Sequence, residues 1–581
     1  SFIPLLFLQG MEGRMLIPLG LTFVMALFAS TVISLTLTPV LCSYLLGSER
    51  GDPRKKDPFL VRKLKTIYRR LLESVLLHRK GLLIGVGAAL VVSVIMLLSF
   101  GQSFLPPFNE GSFTINVSTL PGVSLDESDK IGKMAEDILL SIPEIQVVGR
   151  KTGRAELDEH ALGVNVSEIE APYELKGRTK EEVIAEIREK MKVIPGVNIE
   201  IGSPVSHRID AMLSGTQANI AVKLFGPDLN KMYRIGNQIK TAISNIDGVV
   251  DLNVEQQVER PQLKIVPKRE ILAKYGISLP EFNEAIGVLL EGKPVSQVYE
   301  GDRSFDLILR VKDKDRESVE AIGNLAIDAD GQKVPLCQVA DIVSSAGPHT
   351  INRENVSRKM VVSANITGRD LQGAVDDIRN TIENEIRLPE GYHVEYGGQF
   401  ESARSASRTL TLASVLSVLT IFLLLFAEFK SWPQAAIAMV NLPLSLIGGV
   451  FIVFFTGGVM NIPSIIGFIS LFGIATRNGV LLLNRYNDLH AAGLSVHDTI
   501  IQGSLDRLNP ILMTALSSAL ALVPMALSGH LPGNEIQSPM AKVILGGLIT
   551  STALNGFIIP VMYGFIAGKD KKKQEKLNDE Q

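Results

Sequence analysis

The run from Ser431 to Thr476 limits this chain more than any other feature: forty-six residues pass without one Asp, Glu, Lys or Arg. A helix needs roughly 20 predominantly apolar residues to cross a bilayer, so the run is long enough for two crossings. Gly457-Gly458, with Asn461 and Pro463 close behind, is turn chemistry that divides it, and spans are expected near residues 434–456 and 463–484. Met15–Ser48, Gly81–Asn109 and Thr409–Ala427 are also free of charge. Leu508 to Gly529 and Met540 to Gly568 complete a set of seven spans, with the stub of an eighth at Phe2–Leu8.

Residues 101–407 have the composition of soluble protein, so the mean hydropathy of +0.23 averages two unlike materials. The expected class is a membrane α-helical bundle plus an α/β periplasmic domain. Its layout is the end of one span and a full span in 1–48, a basic loop in 49–80, a span in 81–100, the large domain in 101–407, five spans in 408–568 and a tail in 569–581. The loop Glu49–Lys80 holds eleven Lys or Arg against four acids, which the positive-inside rule places in the cytoplasm. Counting crossings then puts the large domain outside and returns the lysine-rich tail to the cytoplasm. Within the loop, Leu60, Leu64, Tyr68, Leu71 and Val75 share one side of a helix opposite the basic residues, as in a helix on the membrane surface or one packed on other loops. Ser1 runs straight into apolar sequence without the basic flank or cleavage site of a signal peptide. The chain is therefore expected to be a piece cut inside or just after a membrane helix.

The outside domain repeats one grammar. Phe113, Ile115 and Val117 alternate with polar residues, Ile131, Met134, Ala135 and Ile138 follow at helical spacing, and an extended pattern returns at Ile145–Val148. Ile199–Ile201 follows a helix opened by the capping box Thr179 and Glu182. Ile220–Leu224 and Val249–Val254 flank a third helix, and Met360–Ile366 and Tyr392–Tyr396 a fourth. Four such units pair into two ferredoxin-like βαβ subdomains. Residues 260–339 depart from the repeat and are expected to form an inserted, docking-type subdomain.

Several chemistries are missing from the sequence. It carries no phosphate-binding G-x-x-x-x-G-K-[ST] loop, H-E-x-x-H, C-x-x-C or G-x-S-x-G, which disfavours ATP-driven transport and the commoner hydrolases. A net charge of −3 gives no basic footprint for nucleic acid, and two cysteines, Cys42 and Cys337, cannot build a thiolate cluster in one chain. No enzymatic activity and no bound cofactor are expected. A transporter without a nucleotide site draws on an ion gradient, and its relay needs ionisable side chains inside the spans. No Asp or Glu lies mid-span, but Arg477 does, at a cost of roughly 2.5 to 3.5 kcal/mol unless paired. It reads as a proton-coupling partner for carboxylates on a neighbouring helix, or as a structural ion pair or snorkelling residue.

This layout resembles the second half of a resistance-nodulation-division transporter, a family built from two repeats of one helix, a large periplasmic domain and five helices. Gly13-Arg14, Leu35–Cys42, Leu105–Gly111, Glu428–Trp432 and Gly473–Gly479 carry the resemblance. Lys151–Glu156 and His207–Gly215 are similar to motifs of its heavy-metal efflux branch. The resemblance implies a homotrimer in the inner membrane, joined to a periplasmic membrane-fusion adaptor and an outer-membrane channel. It also implies antiport of a metal cation against protons, with relay carboxylates in first-repeat helices that this sequence lacks. Copper and silver exporters of the branch line their cleft with three methionines, soft ligands that suit Cu(I). Here the matching positions hold Val166, Ala211 followed by Met212, and Asp330.

Harder donors stand nearby: Glu156, Asp158, Glu159 and His160 fall within five residues, and Asp328 accompanies Asp330. Imidazole with carboxylate suits Zn(II), Co(II) or Ni(II). The metal candidates are thus Glu156, Asp158, Glu159, His160, Met212 and Asp330, against a solvated loop for the charged cluster and plain packing for Met212. The competing functions are a drug or amphiphile exporter, which aromatics at 6% of the chain support poorly, and a non-transporting sensor or scaffold on the same fold.

Overall fold

The computed structural model describes residues 3–8, 10–45, 58–106, 108–120, 122–153, 163–214, 218–255, 259–329, 331–348 and 351–579. Seven helical segments in it are long and apolar enough to cross a membrane. The first is formed by α1 (Gly10–Leu35) and α2 (Leu37–Leu45), preceded by a 3-10 turn at Ile3–Phe7. Helix α3 (Phe59–Leu77) leads into the second crossing, α4 (Arg79–Ser99). The apolar side of α3 is divided: Leu72 is buried and Tyr68 donates a 2.5 Å hydrogen bond to the Gly556 carbonyl in the last span, whereas Leu60, Leu64 and Leu71 are exposed.

The strand-helix grammar produces two sheets of identical plan. The first unit runs β1 (Ser112–Ser118), α5 (Leu125–Leu140), β2 (Gly149–Thr152), β3 (Val166–Pro172), α6 (Lys180–Met191) and β4 (Asn198–Gly202). Its antiparallel order is β2-β3-β1-β4, with Ile115 opposite both Ile169 and Ile201. Helix α6 starts where expected, because Thr179 and Glu182 form the reciprocal capping box. After α7 (Pro204–Ser214) the plan repeats as β5 (Ile220–Phe225), α8 (Leu229–Ile243), β6 (Val249–Val254), β7 (Ser357–Ile366), α9 (Leu371–Glu385) and β8 (His393–Gly398). Here β7 pairs with β6 and β5, and β5 with β8, giving β6-β7-β5-β8. Each sheet buries one face under its helices: Phe113, Ile115 and Val117 meet Ala135, Leu139 and Ile187 in the first, and Val222 and Leu224 meet Met232, Ile239 and Ile378 in the second. The period-two alternation of these strands is what leaves polar side chains for the opposite face.

The remaining five spans are α10 (Gln399–Phe429), the pair α11 (Trp432–Met439) and α12 (Asn441–Phe455), α13 (Ile462–Ala491), α14 (Val496–Leu527) and α15 (Gln537–Asp579). Gly457 and Gly458 adopt positive φ of 118° and 67°, which side chains resist, and so turn the chain between α12 and α13. Asn461 then caps α13 by accepting from Ser464 N. Helices α10 and α14 begin about ten residues before the charge-free sequence does. Nothing breaks the helix in those polar first turns, so the helix outruns the hydropathy signal.

A second compact unit comprises Leu120–Ser124 and Gln256–Arg353. Its core gathers Leu272, Phe282, Ile327, Val334 and Leu336. It also carries a hairpin, Lys293–Glu300 paired with Arg303–Leu309, every residue of which is exposed.

Candidate transport site

Three spans, α11–α12, α13 and α15, are largely buried against one another, while the other four leave most of their surface uncovered. Close approach within that layer depends on small residues. A Cβ on Gly479 of α13 would lie 2.1 Å from Asn441 Nδ2 of α12, and one on Gly467 would lie 2.9 Å from the Met540 carbonyl oxygen of α15. Burying this side of α13 turns its other side outward, and Arg477 is exposed there. With Gly473, Thr476, Val480 and Leu481 it faces Ile421, Leu424 and Leu425 of α10 across a groove of about 330 Å³. Among the described residues no carboxylate forms an ion pair with Arg477. By contrast, Arg485, two turns further along α13, pairs with Asp506 of α14 at 2.6 Å. A guanidinium at mid-span is costly unless it is paired or reaches water.

In the outside domain, the motif His207–Gly215 lies largely on α7. Met212 projects outward, 59% exposed. His207 and Asp210 instead turn inward. The His207 ring lies against Gly202, with both nitrogens lacking a hydrogen-bond partner, and burial lowers its pKa to about 4. Burial pushes the Asp210 carboxyl up to about 7, against the pull of hydrogen bonds from Gln399 Nε2 at 2.8 Å and Asn219 Nδ2 at 3.3 Å. Glu156, Asp158, Glu159, His160 and Asp330 lie outside the described residues. Asp328, in the second unit, is paired with Lys333 at 2.7 Å, which holds its carboxyl below the usual carboxylate range. Among the described residues no three His, Cys, Asp or Glu side chains are grouped so as to hold a metal ion.

Sequence reasoning missed a polar seam between the two sheets. On the polar face of β4, Glu200 accepts from Asn253 and Ser363, and burial raises its pKa. Beside it Arg188 of α6 makes a two-pronged bond to Asp251, at 2.9 and 2.8 Å, and Asn365 donates to the same carboxylate. The alternation of β4 marks Glu200 as polar-side, but nothing in the sequence announces its partners.

Among the described residues, seven membrane-length helices together with a pair of ferredoxin-like sheets mark a multi-pass membrane protein. The model of the AcrB/AcrD/AcrF family matches residues 1–567, and the chain belongs to that family of resistance-nodulation-division efflux transporters. Among curated proteins it is similar to Protein HelA of Legionella pneumophila, 32% identical over 588 residues that cover 99% of this chain and 56% of that protein. The cobalt-zinc-cadmium resistance protein CzcA of Cupriavidus metallidurans is likewise 32% identical, over 99% of this chain and 55% of its own length. The cation efflux system protein CusA of Escherichia coli is 29% identical, over 97% and 55%. A crystal structure of a heavy metal efflux pump superposes with a TM-score of 0.80 at 28% identity, covering 98% of this chain and 56% of that one. The chain spans about half the length of the curated relatives it matches.

Proposed function

We propose that this chain is the second-repeat portion of an inner-membrane permease that exports heavy-metal cations, chiefly divalent ones, in exchange for protons. The observation that carries the reading is Arg477, held mid-span on the open groove between α10 and α13, where carboxylates of first-repeat helices complete a proton relay. The relative named for cobalt, zinc and cadmium resistance supports this substrate class. Carboxylate and imidazole donors at Glu156, Asp158, Glu159, His160 and Asp330, with Met212 on the exposed side of α7, are the proposed metal-handling residues. The cargo ion and protons are the only small species required; no cofactor is.

The basic loop and the tail face the cytoplasm and the paired sheets the periplasm. The pump works as a homotrimer with a periplasmic adaptor and an outer-membrane channel. The exposed hairpin supports this assembly: Val295, Val298, Tyr299, Phe305 and Leu307 leave apolar surface uncovered, as a segment seated on a neighbouring subunit does.

The test is metal tolerance of an efflux-deficient bacterium expressing the full-length gene with its adaptor, titrated separately with Zn(II), Co(II), Ni(II), Cu(I) and Ag(I). Protection against divalent ions that weakens in His160→Ala supports the reading. Protection against Cu(I) or Ag(I) alone shifts the site to Met212, and no protection from any metal overturns it.

A further inference from the structure

Helix α7 is fastened at three points. At its start the Val205 backbone N donates to Glu110 Oε2 at 2.9 Å, tying it to the strap that precedes β1. Midway, Ile209 is 3% exposed and belongs to one apolar cluster with Ala406 and Leu410 of α10, Ile466 of α13 and Met540 of α15. One residue on, the Asp210 carboxylate takes Gln399 Nε2 and Asn219 Nδ2. Gln399 is the first residue of α10, and its backbone N donates to the carbonyl of that same Asn219. The preceding Gly398, at φ 98°, allows this close approach, since a Cβ there would sit 2.6 Å from the Asn219 oxygen. Asp210 therefore grips the root of α10 from two sides.

Helix α10 continues from that root for 31 residues without a glycine or proline. Its residues Ile421, Leu424 and Leu425 form one wall of the groove that holds Arg477. At 1.5 Å per residue they lie roughly 33–39 Å along the same rod from Gln399. A shift of the first turn is carried down an unbroken helix, because kinks need a proline, a glycine or an inserted group. Meanwhile Met212, two residues past Asp210, faces outward from α7.

We infer that α7 is a strut joining the first βαβ sheet to the membrane-entering helix α10, and that Asp210 is the positioning residue that locks the two together. The consequence for transport rests on the function proposed above; the lock itself does not. Asp210→Leu, Gln399→Leu and their double variant, made in the full-length protein, separate the two. Hydrogen exchange should rise reciprocally, in the first turns of α10 for Asp210→Leu and in α7 for Gln399→Leu. Metal tolerance should fall by about fivefold in either single variant and no further in the double, as for residues acting through one contact. Calorimetric Zn(II) binding should stay within about twofold of wild type, because the cargo residues are untouched. Asp210→Asn, which keeps an acceptor for Gln399, should restore most of the tolerance lost in Asp210→Leu. Exchange that changes only on the substituted helix, or additive losses in the double variant, overturns the lock. A wild type that binds and exports no metal overturns the proposed function instead, and the exchange result still decides the lock.

Discussion

Gly448 of α12 and Gly546 of α15 touch backbone to backbone: a Cβ on Gly448 would lie 2.1 Å from the Gly546 carbonyl oxygen, and one on Gly546 would lie 2.6 Å from that of Gly448. With lipid as apolar as leucine, close packing of small residues is what holds such helices together. Gly448→Ala or Gly546→Ala must push the pair apart, and overpacking of this kind costs about 1–3 kcal/mol. Thermal unfolding of the purified protein should show a clear fall in midpoint for either variant. Gly81→Ala on α4, where nothing lies within 4 Å, serves as the control. Equal midpoints for all three would contradict the contact.

The Arg188 and Asp251 pair joins the two sheets at a strained point, since Asp251 adopts φ 52°. Its carboxylate side chain is 5% exposed and that of Arg188 26%. Arg188→Leu strands a buried anion with only the Asn365 amide in place, which should cost about 3 kcal/mol. The double variant Arg188→Leu with Asp251→Asn should recover part of that loss in a denaturant titration, because no charge is then left unpaired. A double variant no better than Arg188→Leu alone would assign the loss to packing.

How much of this was legible differs by element. The spans stood out because a bilayer forbids charge over a fixed length, and the repeat because strands and helices impose different periods. Helices α10 and α14 begin before the expected spans do, since Arg404, Arg408 and Asp506 sit in helical turns outside the apolar stretch, which hydropathy does not report. The polar seam between the two sheets was invisible for a different reason. Glu200 meets Ser363 across 163 residues and Asp210 meets Gln399 across 189, and only the fold brings such pairs together. Arg477 was found because an intramembrane charge is conspicuous, while its open groove follows from which face of α13 the glycines allow to be buried.

Glu200 predicts a pH dependence. Burial raises its folded pKa; the Asn253 hydrogen bond opposes this, the Asp251 charge adds to it, and Ser363 opposes it again. The folded protein thus retains a proton that the unfolded chain releases. That stabilisation is fully present below the unfolded pKa and is lost as pH rises through the folded one. Glu200→Gln keeps the acceptor and cannot ionise. Its melting midpoint relative to wild type should therefore climb as pH rises upward from the ordinary glutamate range. A constant difference across that range would mean the carboxyl stays charged in the folded state.

The hairpin Lys293–Glu300 with Arg303–Leu309 predicts assembly. If its apolar surface is covered by a second copy of the chain, Val298→Asp with Phe305→Asp should convert trimers of the full-length protein to monomers in native mass spectrometry. The subunit melting midpoint should be nearly unchanged, since both side chains are already exposed. Trimers that survive the double substitution would remove the hairpin from the interface.

Arg477 makes the sharpest demand on the proposed mechanism. Its neighbours across the groove, Ile421, Leu424 and Leu425, are apolar, and among the described residues no carboxylate forms an ion pair with the guanidinium. A carboxylate arriving from another helix would be held ionised while paired and released when protonated, which is how one arginine can sense a proton without losing its own. Arg477→Leu removes the charge and should reduce metal tolerance to that of the empty vector, a loss of about 100-fold or more in proton-coupled flux into inverted vesicles. Arg477→Lys retains a cation but not the planar fork, and should keep partial activity with a shifted pH profile. Full activity of Arg477→Leu would leave the residue only a structural role, and the proton path would then have to run elsewhere.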